Sequence, residues 1–129
     1  MSETILIVDD NPDSITILQS ILGTRGYGVL SAESGAAALR TLQSEPPPDL
    51  ILLDVMMPEM NGIEVLQKIK ESHTTAKIPV ILVTAKTHDE DVLSGYQYGA
   101  DYYITKPFTA KQLFYGIDLV LGKSGAPRA

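Results

Sequence analysis

The sequence predicts an α/β fold, a doubly wound sheet of five parallel strands in (βα)5 chain order. Two observations predict it. Strand-length apolar runs recur at 5–8, 29–31, 50–53, 80–83 and 102–104, and stretches with helical spacing separate them, so periods of two and 3.6 alternate along the chain. Runs as apolar as ILLD and VILV leave no polar side for water, so helices must cover both faces of the sheet.

The first strand is ILIV, and Asn11 followed by Pro12 opens the first helix, because an Asn side chain accepts from a free N–H and Pro has none to satisfy. Ile15, Leu18, Ile21 and Leu22 share one face of that helix. The run at 29–31 is the second strand, and a second helix separates it from the third, LILLD. Pro58 and the Asn61-Gly62 pair then force a turn before a third helix carrying Ile63, Val65, Leu66 and Ile69. Capping boxes at Thr87 with Glu90 and at Thr109 with Gln112 open the fourth and fifth helices, after the strands VILV and YYI. Strands separated by helices pair in parallel through right-handed crossovers. The order 2-1-3-4-5 follows by analogy with flavodoxin-like sheets. The domain is expected over 1–121, and 122–129, GKSGAPRA, has no apolar period and is expected to be a flexible tail or the start of a linker.

A length of 129 residues fits one domain with a sizeable core. Net charge −6, with no clustering of Lys and Arg, argues against direct binding of nucleic acid. The absence of Cys excludes a disulfide frame and a thiolate metal site and suits a reducing cytosol. With no leader pattern and no apolar run of membrane-spanning length, the chain reads as a soluble cytoplasmic protein that does not engage a membrane.

In such sheets ligands bind beyond the carboxyl ends of the strands where their order reverses. That edge collects Asp9 and Asp10 after the first strand, Asp54 after the third, Thr84 after the fourth and Lys106 after the fifth. Two carboxylates about 4 Å apart repel by roughly 4 kcal/mol at an effective dielectric near 20, and three cost more. A divalent cation is the natural offset, and an all-oxygen donor set with room for water suits Mg²⁺. Asp54 is the best-placed nucleophile, since a carboxylate beside Mg²⁺ can accept a phosphoryl group. Lys106 is placed to pair with one phosphoryl oxygen and Thr84 to donate to another.

The motifs ILIVDDNP, DLILLDVMMPEMNGIEVL, IPVILVTA and GADYYITKPF, spread from about Ile5 to Leu121, resemble the receiver domain of two-component response regulators. The resemblance implies a signalling domain rather than an enzyme, with Asp54 as phosphoacceptor. It also implies that Asp10 ligates Mg²⁺ directly, Asp9 directly or through water, and Met56 through its backbone carbonyl. Thr84 and Lys106 keep the roles above, and the Lys106-Pro107 bond is expected cis. The implied donor is a phosphohistidine on a sensor histidine kinase or a histidine phosphotransfer protein. Tyr103 falls at the aromatic switch position and would act with Thr84, reading phosphorylation out on the face of the fourth helix, fifth strand and fifth helix to an unknown output protein or domain.

On that face the sequence departs from charge-paired dimerising members, with Val92, Ser94, Tyr102, Gly116 and Asp118 at the corresponding positions. A stand-alone regulator or phosphorelay shuttle and a receiver detached from a larger regulator or hybrid kinase both fit. An aspartyl-nucleophile phosphate hydrolase would need a second carboxylate two residues after Asp54, where Met56 stands. A flavodoxin-like electron carrier would need a phosphate-cradling loop where DDNPD stands. Met56 and Lys86 would border the path of a water attacking an acyl phosphate on Asp54. Met57 is expected in the core, Met56 and Met60 beside the site loop, His73 and His88 on the surface, and Tyr96, Tyr98 and Tyr115 half-buried.

Overall fold

Each apolar run extends by one or two residues into its neighbours, because backbone pairing does not stop where the apolar side chains do. In the computed structural model, which describes residues 3–44, 46–55, 57, 61–84 and 97–122, the strands are β1 (Thr4–Val8), β2 (Gly28–Ala32), β3 (Leu50–Asp54), β4 (Val80–Thr84) and β5 (Tyr102–Thr105). The helices are α1 (Pro12–Gly23), α2 (Gly35–Ser44), α3 (Gly62–Glu71) and α4 (Ala110–Leu121). The cap at Thr87 and Glu90, and the fourth helix expected after it, lie outside the described residues, so the helix expected as the fifth is α4 here. The sheet is parallel throughout, in the order β2-β1-β3-β4-β5.

Alternation along the strands sorts the apolar side chains into two layers. Leu6, Val8, Ile51, Leu53 and Leu82 meet Ala38 and Leu42 of α2 and Val65, Leu66 and Ile69 of α3. Ile5, Ile7, Leu50, Leu52 and Val83 meet Ile15, Leu18 and Leu22 of α1 and Leu113 and Ile117 of α4. Met57 is buried in the first layer, as expected.

The helix starts are closed by side chains. Asn11 Oδ1 accepts from Asp13 N–H at 2.9 Å, and Thr109 with Gln112 forms the expected reciprocal box at 3.0 and 2.9 Å. Asn61, read as part of a turn, is the N-cap of α3 and forms a box with Glu64 at 3.0 and 3.1 Å.

At the amino-terminal edge of the sheet, acids act as staples. Asp49 Oδ2 accepts from Thr4 N–H at 2.7 Å and Asp101 Oδ2 from Val80 N–H at 2.9 Å, each tying a loop to the first residue of a strand. Lys70 donates to the carbonyls of Ala76 and Ile78 at 3.1 and 2.8 Å, closing the loop into β4.

Asp118 is committed within the chain. Arg25 Nη1 lies 2.7 Å from its Oδ1, and the guanidinium stacks 4.1 Å from the Phe114 ring centre, joining the turn after α1 to α4. The hydrogen bond to Asp118 raises the Arg25 pKa, outweighing slight desolvation, so the guanidinium keeps its charge. Val92 and Ser94 lie outside the described residues. Gly116 packs under Tyr102, where an added Cβ would stand 2.8 Å from the ring. Tyr98 and Tyr115 are more exposed than expected, at 43% and 42%, while His73 is exposed as expected; Tyr96, His88 and Met60 lie outside the described residues.

Candidate functional site

The strand order reverses between β1 and β3, and their carboxyl ends carry the acids. Val8 closes β1 and sets Asp9 and Asp10 just beyond it, and Asp54 is the last residue of β3. Asp9 N–H donates to Ala32 O at 3.1 Å, prolonging the β1–β2 ladder and turning the side chain into the crevice. Asp9 is 2% exposed and Asp54 6%, whereas Asp10 is exposed.

One oxygen from each of Asp9, Asp10 and Asp54 lies within 4.8 Å of the others. Asp9 Oδ1 accepts from Asn11 N–H at 2.9 Å, and Asp9 Oδ2 accepts from Lys106 Nζ at 3.1 Å. Lys106 Nζ is 3.9 Å from Asp54 Oδ2. Two buried carboxylates and an exposed one, all hard oxygen donors converging on one point beside the Lys106 ammonium, fit a divalent cation of the Mg²⁺ type with part of its shell left to water.

The end of β3 is held from below by α3. Gly62 N–H donates to Val55 O at 2.9 Å, and the helix start approaches the strand so closely that a Cβ on Gly62 would lie 2.7 Å from Val55 Cα. Gly62 is therefore a positioning residue for Asp54 that the sequence reading assigned only to a turn. The Asn-x-x-Glu spacing of 61–64 was the available signal for the helix start.

The structure thus brings together Asp9, Asp10, Asp54 and Lys106. The Lys106-Pro107 bond is cis, as expected. The backbone of Thr84 ends β4 and pairs with Thr105, one register step beyond Val83 with Ile104. Met56 and Lys86 lie outside the described residues. Tyr103 is half-buried against the α2–α3 layer, and Tyr102 packs in the α1–α4 layer, so the two rings face opposite ways, as alternation requires.

Beside the acids, an apolar groove of about 440 Å³ runs between α1 and the loop after β5, lined by Ile17, Leu18, Ile21, Pro107 and Phe108 and bordered by Lys106. Ile17 is 58% exposed there.

A family model described as response regulator receiver domain matches residues 5–118. Among curated proteins, the chain is 38% identical over 124 residues to the alkaline phosphatase synthesis transcriptional regulatory protein PhoP of Bacillus subtilis, covering 96% of this chain and 50% of that one. The chain spans about half the length of the curated relatives it matches. Among solved structures, it is similar to the chemotaxis protein CheY4 of Vibrio cholerae, with TM-score 0.87, 28% identity and coverage of 93% of this chain and 99% of that one. It is also similar to the Mn²⁺-bound form of response regulator Rcp1, with TM-score 0.81, 31% identity and coverage of 98% and 99%. Among the described residues, no helix is long and apolar enough to cross a membrane.

Proposed function

The chain belongs to the response regulator receiver domain family, and from that premise we propose that Asp54 accepts a phosphoryl group from a phosphohistidine in a Mg²⁺-dependent reaction in the cytoplasm. The observation that carries this reading is a buried carboxylate at the end of β3, sharing one crevice with two further acids and facing the Lys106 ammonium at 3.9 Å. An Asp54 oxygen attacks phosphorus, the bond to the donor imidazole nitrogen breaks, and the electron pair returns to the ring. Lys106 then pairs with a phosphoryl oxygen, and burial of Asp54 keeps bulk water from the acyl phosphate. Mg²⁺, when bound, supplies positive charge against the incoming dianion, and Asp9, Asp10 and Asp54 would hold it together with the Met56 carbonyl. That response regulator Rcp1 has a Mn²⁺-bound form supports a divalent cation here.

The test is exposure to acetyl phosphate with and without Mg²⁺, followed by mass mapping. A phosphoryl mass gain confined to Asp54 and absent without Mg²⁺ is expected; labelling elsewhere removes the reading.

The donor partner proposed is a sensor histidine kinase or histidine phosphotransfer protein. The groove beside Lys106 supports a protein donor, because a large partner reaching Asp54 must rest on the surface around the crevice mouth. Ile17→Asp is expected to slow phosphoryl transfer from a cognate donor protein at least tenfold and to leave labelling by acetyl phosphate within twofold. Equal slowing with both donors would place Ile17 in folding rather than docking.

Thr84 and Tyr103 are proposed to read the phosphoryl group out toward the face that includes β5 and α4. Support comes from the register that sets Tyr103 beside Leu82, two residues before Thr84 on β4. Beryllofluoride at Asp54 is expected to change the Tyr103 ring rotamer and the chemical shifts across that face while leaving Tyr102 in place; an unchanged Tyr103 ring overturns the readout. The half-length match to proteins named as transcriptional regulators favours, as a second reading, the receiver part of a larger regulator over a stand-alone one.

A further inference from the structure

We infer that Arg25 is a positioning residue for the donor protein: it latches α1 to α4 at the amino-terminal edge of the sheet, and so sets the width of the groove at the opposite end of the same two helices. This rests on the reading of that groove as the donor's docking place. In a parallel sheet α1 and α4 both run from the carboxyl edge to the amino edge, and both pack on one layer, through Leu18 and Leu22 on the first and Leu113 and Ile117 on the second. The groove lies toward their starts, with Ser14, Ile17 and Ile21 on one wall and Pro107 and Phe108 on the other. The latch lies toward their ends, where Arg25 Nη1 is 2.7 Å from Asp118 Oδ1 and the guanidinium stacks 4.1 Å from the Phe114 ring centre.

Hydrogen bonds carry the latch to both walls. The turn that holds Arg25 is tied to α1, because Thr24 N–H and Thr24 Oγ1 both donate to Ile21 O, at 3.2 and 2.6 Å, and Arg25 N–H donates to Leu22 O at 3.1 Å. Ile21 itself lines the groove. On the other side, the Thr109–Gln112 box starts α4 directly after Phe108, and Phe114 and Asp118 lie one turn apart on that helix. Each helix has 12 residues and so is about 18 Å long, and a tie at one end of two such rods governs their separation at the other. An ion pair alone would be a loose tie, since the Arg25 side chain is 41% exposed. A planar guanidinium held on its edge by a carboxylate and on its face by a ring fixes orientation as well as distance.

The test is phosphoryl transfer to the parent, Arg25→Met, Asp118→Asn, Arg25→Lys and the Arg25→Met/Asp118→Asn double variant, from a purified phosphorylated histidine phosphotransfer protein and, separately, from acetyl phosphate. Arg25→Met is expected to raise KM for the donor protein about fivefold with kcat unchanged, and to leave labelling by acetyl phosphate within twofold. The double variant should match Arg25→Met, because one change already opens the latch. Arg25→Lys keeps the charge without the planar face and should fall between Arg25→Met and the parent. The backbone amide shifts of Ser14 and Phe108, at the groove end of the helices, should move in Arg25→Met. A clamp that only adds stability predicts a lower urea midpoint with KM unchanged and shifts confined to the turn after α1 and the second half of α4, and that result overturns the inference. If Ile17→Asp also leaves transfer from the donor protein untouched, the docking reading itself falls, and the amide shifts decide the latch: movement at Ser14 and Phe108 supports it, and none overturns it.

Discussion

Asp54→Asn is expected to lose labelling by acetyl phosphate by more than a hundredfold and, without Mg²⁺, to gain about 1–3 kcal/mol of stability. The loss follows from the nucleophile, since an amide oxygen has neither the charge nor the lone-pair availability of a carboxylate. The gain follows from the company Asp54 keeps, with carboxylate oxygens of Asp9 and Asp10 within 4.8 Å and Asp54 itself buried. Removing one charge relieves repulsion that low exposure leaves poorly screened. The pair with Lys106, at 3.9 Å, is longer than the 3.1 Å pair between that lysine and Asp9, so its loss offsets only part of the gain. Urea denaturation in EDTA checks the sign, and saturating Mg²⁺ should shrink or reverse the difference because the parent then binds the cation better. A variant less stable than the parent in EDTA would mean that the acids do not strain the fold.

Gly62→Ala is expected to cost about 2–4 kcal/mol and to slow labelling of Asp54. The added Cβ would meet the backbone of Asp54 and Val55 rather than the end of a flexible side chain, so the start of α3 and the end of β3 must separate. The Gly62 N–H to Val55 O bond at 2.9 Å would lengthen with them, and Asp54 would move relative to Asp9 and Lys106. Gly23 serves as control: it ends α1 with no atom within 4 Å of an added Cβ, and Gly23→Ala should be neutral or slightly stabilising. Equal midpoints for the two alanine variants in urea would contradict the close approach of α3 to the acceptor strand.

What the sequence made legible was set by local patterns. Alternation and apolar runs located all five strands, and the rule that ligands sit at the carboxyl ends of parallel strands drew Asp9, Asp10, Asp54 and Lys106 to one place. Contacts between distant residues left no such pattern. Asp49 looks like any solvated acid, yet its partner Thr4 is 45 residues away; Asp118 and Arg25 are 93 apart. At 61–64 two local signals competed, the Asn-Gly pair favouring a turn and the Asn-x-x-Glu spacing favouring a cap, and the cap prevailed because α3 packs Val65, Leu66 and Ile69 onto the sheet. The choice of Asp9 over Asp54 as the closer partner of Lys106 is likewise tertiary, fixed by the turn at Asn11 that orients one Asp9 oxygen and leaves the other to the lysine.

Tyr102 and Tyr103 are neighbours in sequence, but one ring lies over Gly116 among the side chains of α1 and α4, and the other packs on the layer beneath α2 and α3. In a chain with six tyrosines and no tryptophan, this makes them a matched pair of spectroscopic labels one peptide bond apart. In fluorotyrosine-labelled protein, an event at Asp54 that stays within one layer should shift one fluorine resonance and leave its neighbour unmoved as an internal standard. A disturbance of the whole sheet should shift both, so a single spectrum distinguishes a directed signal from general loosening.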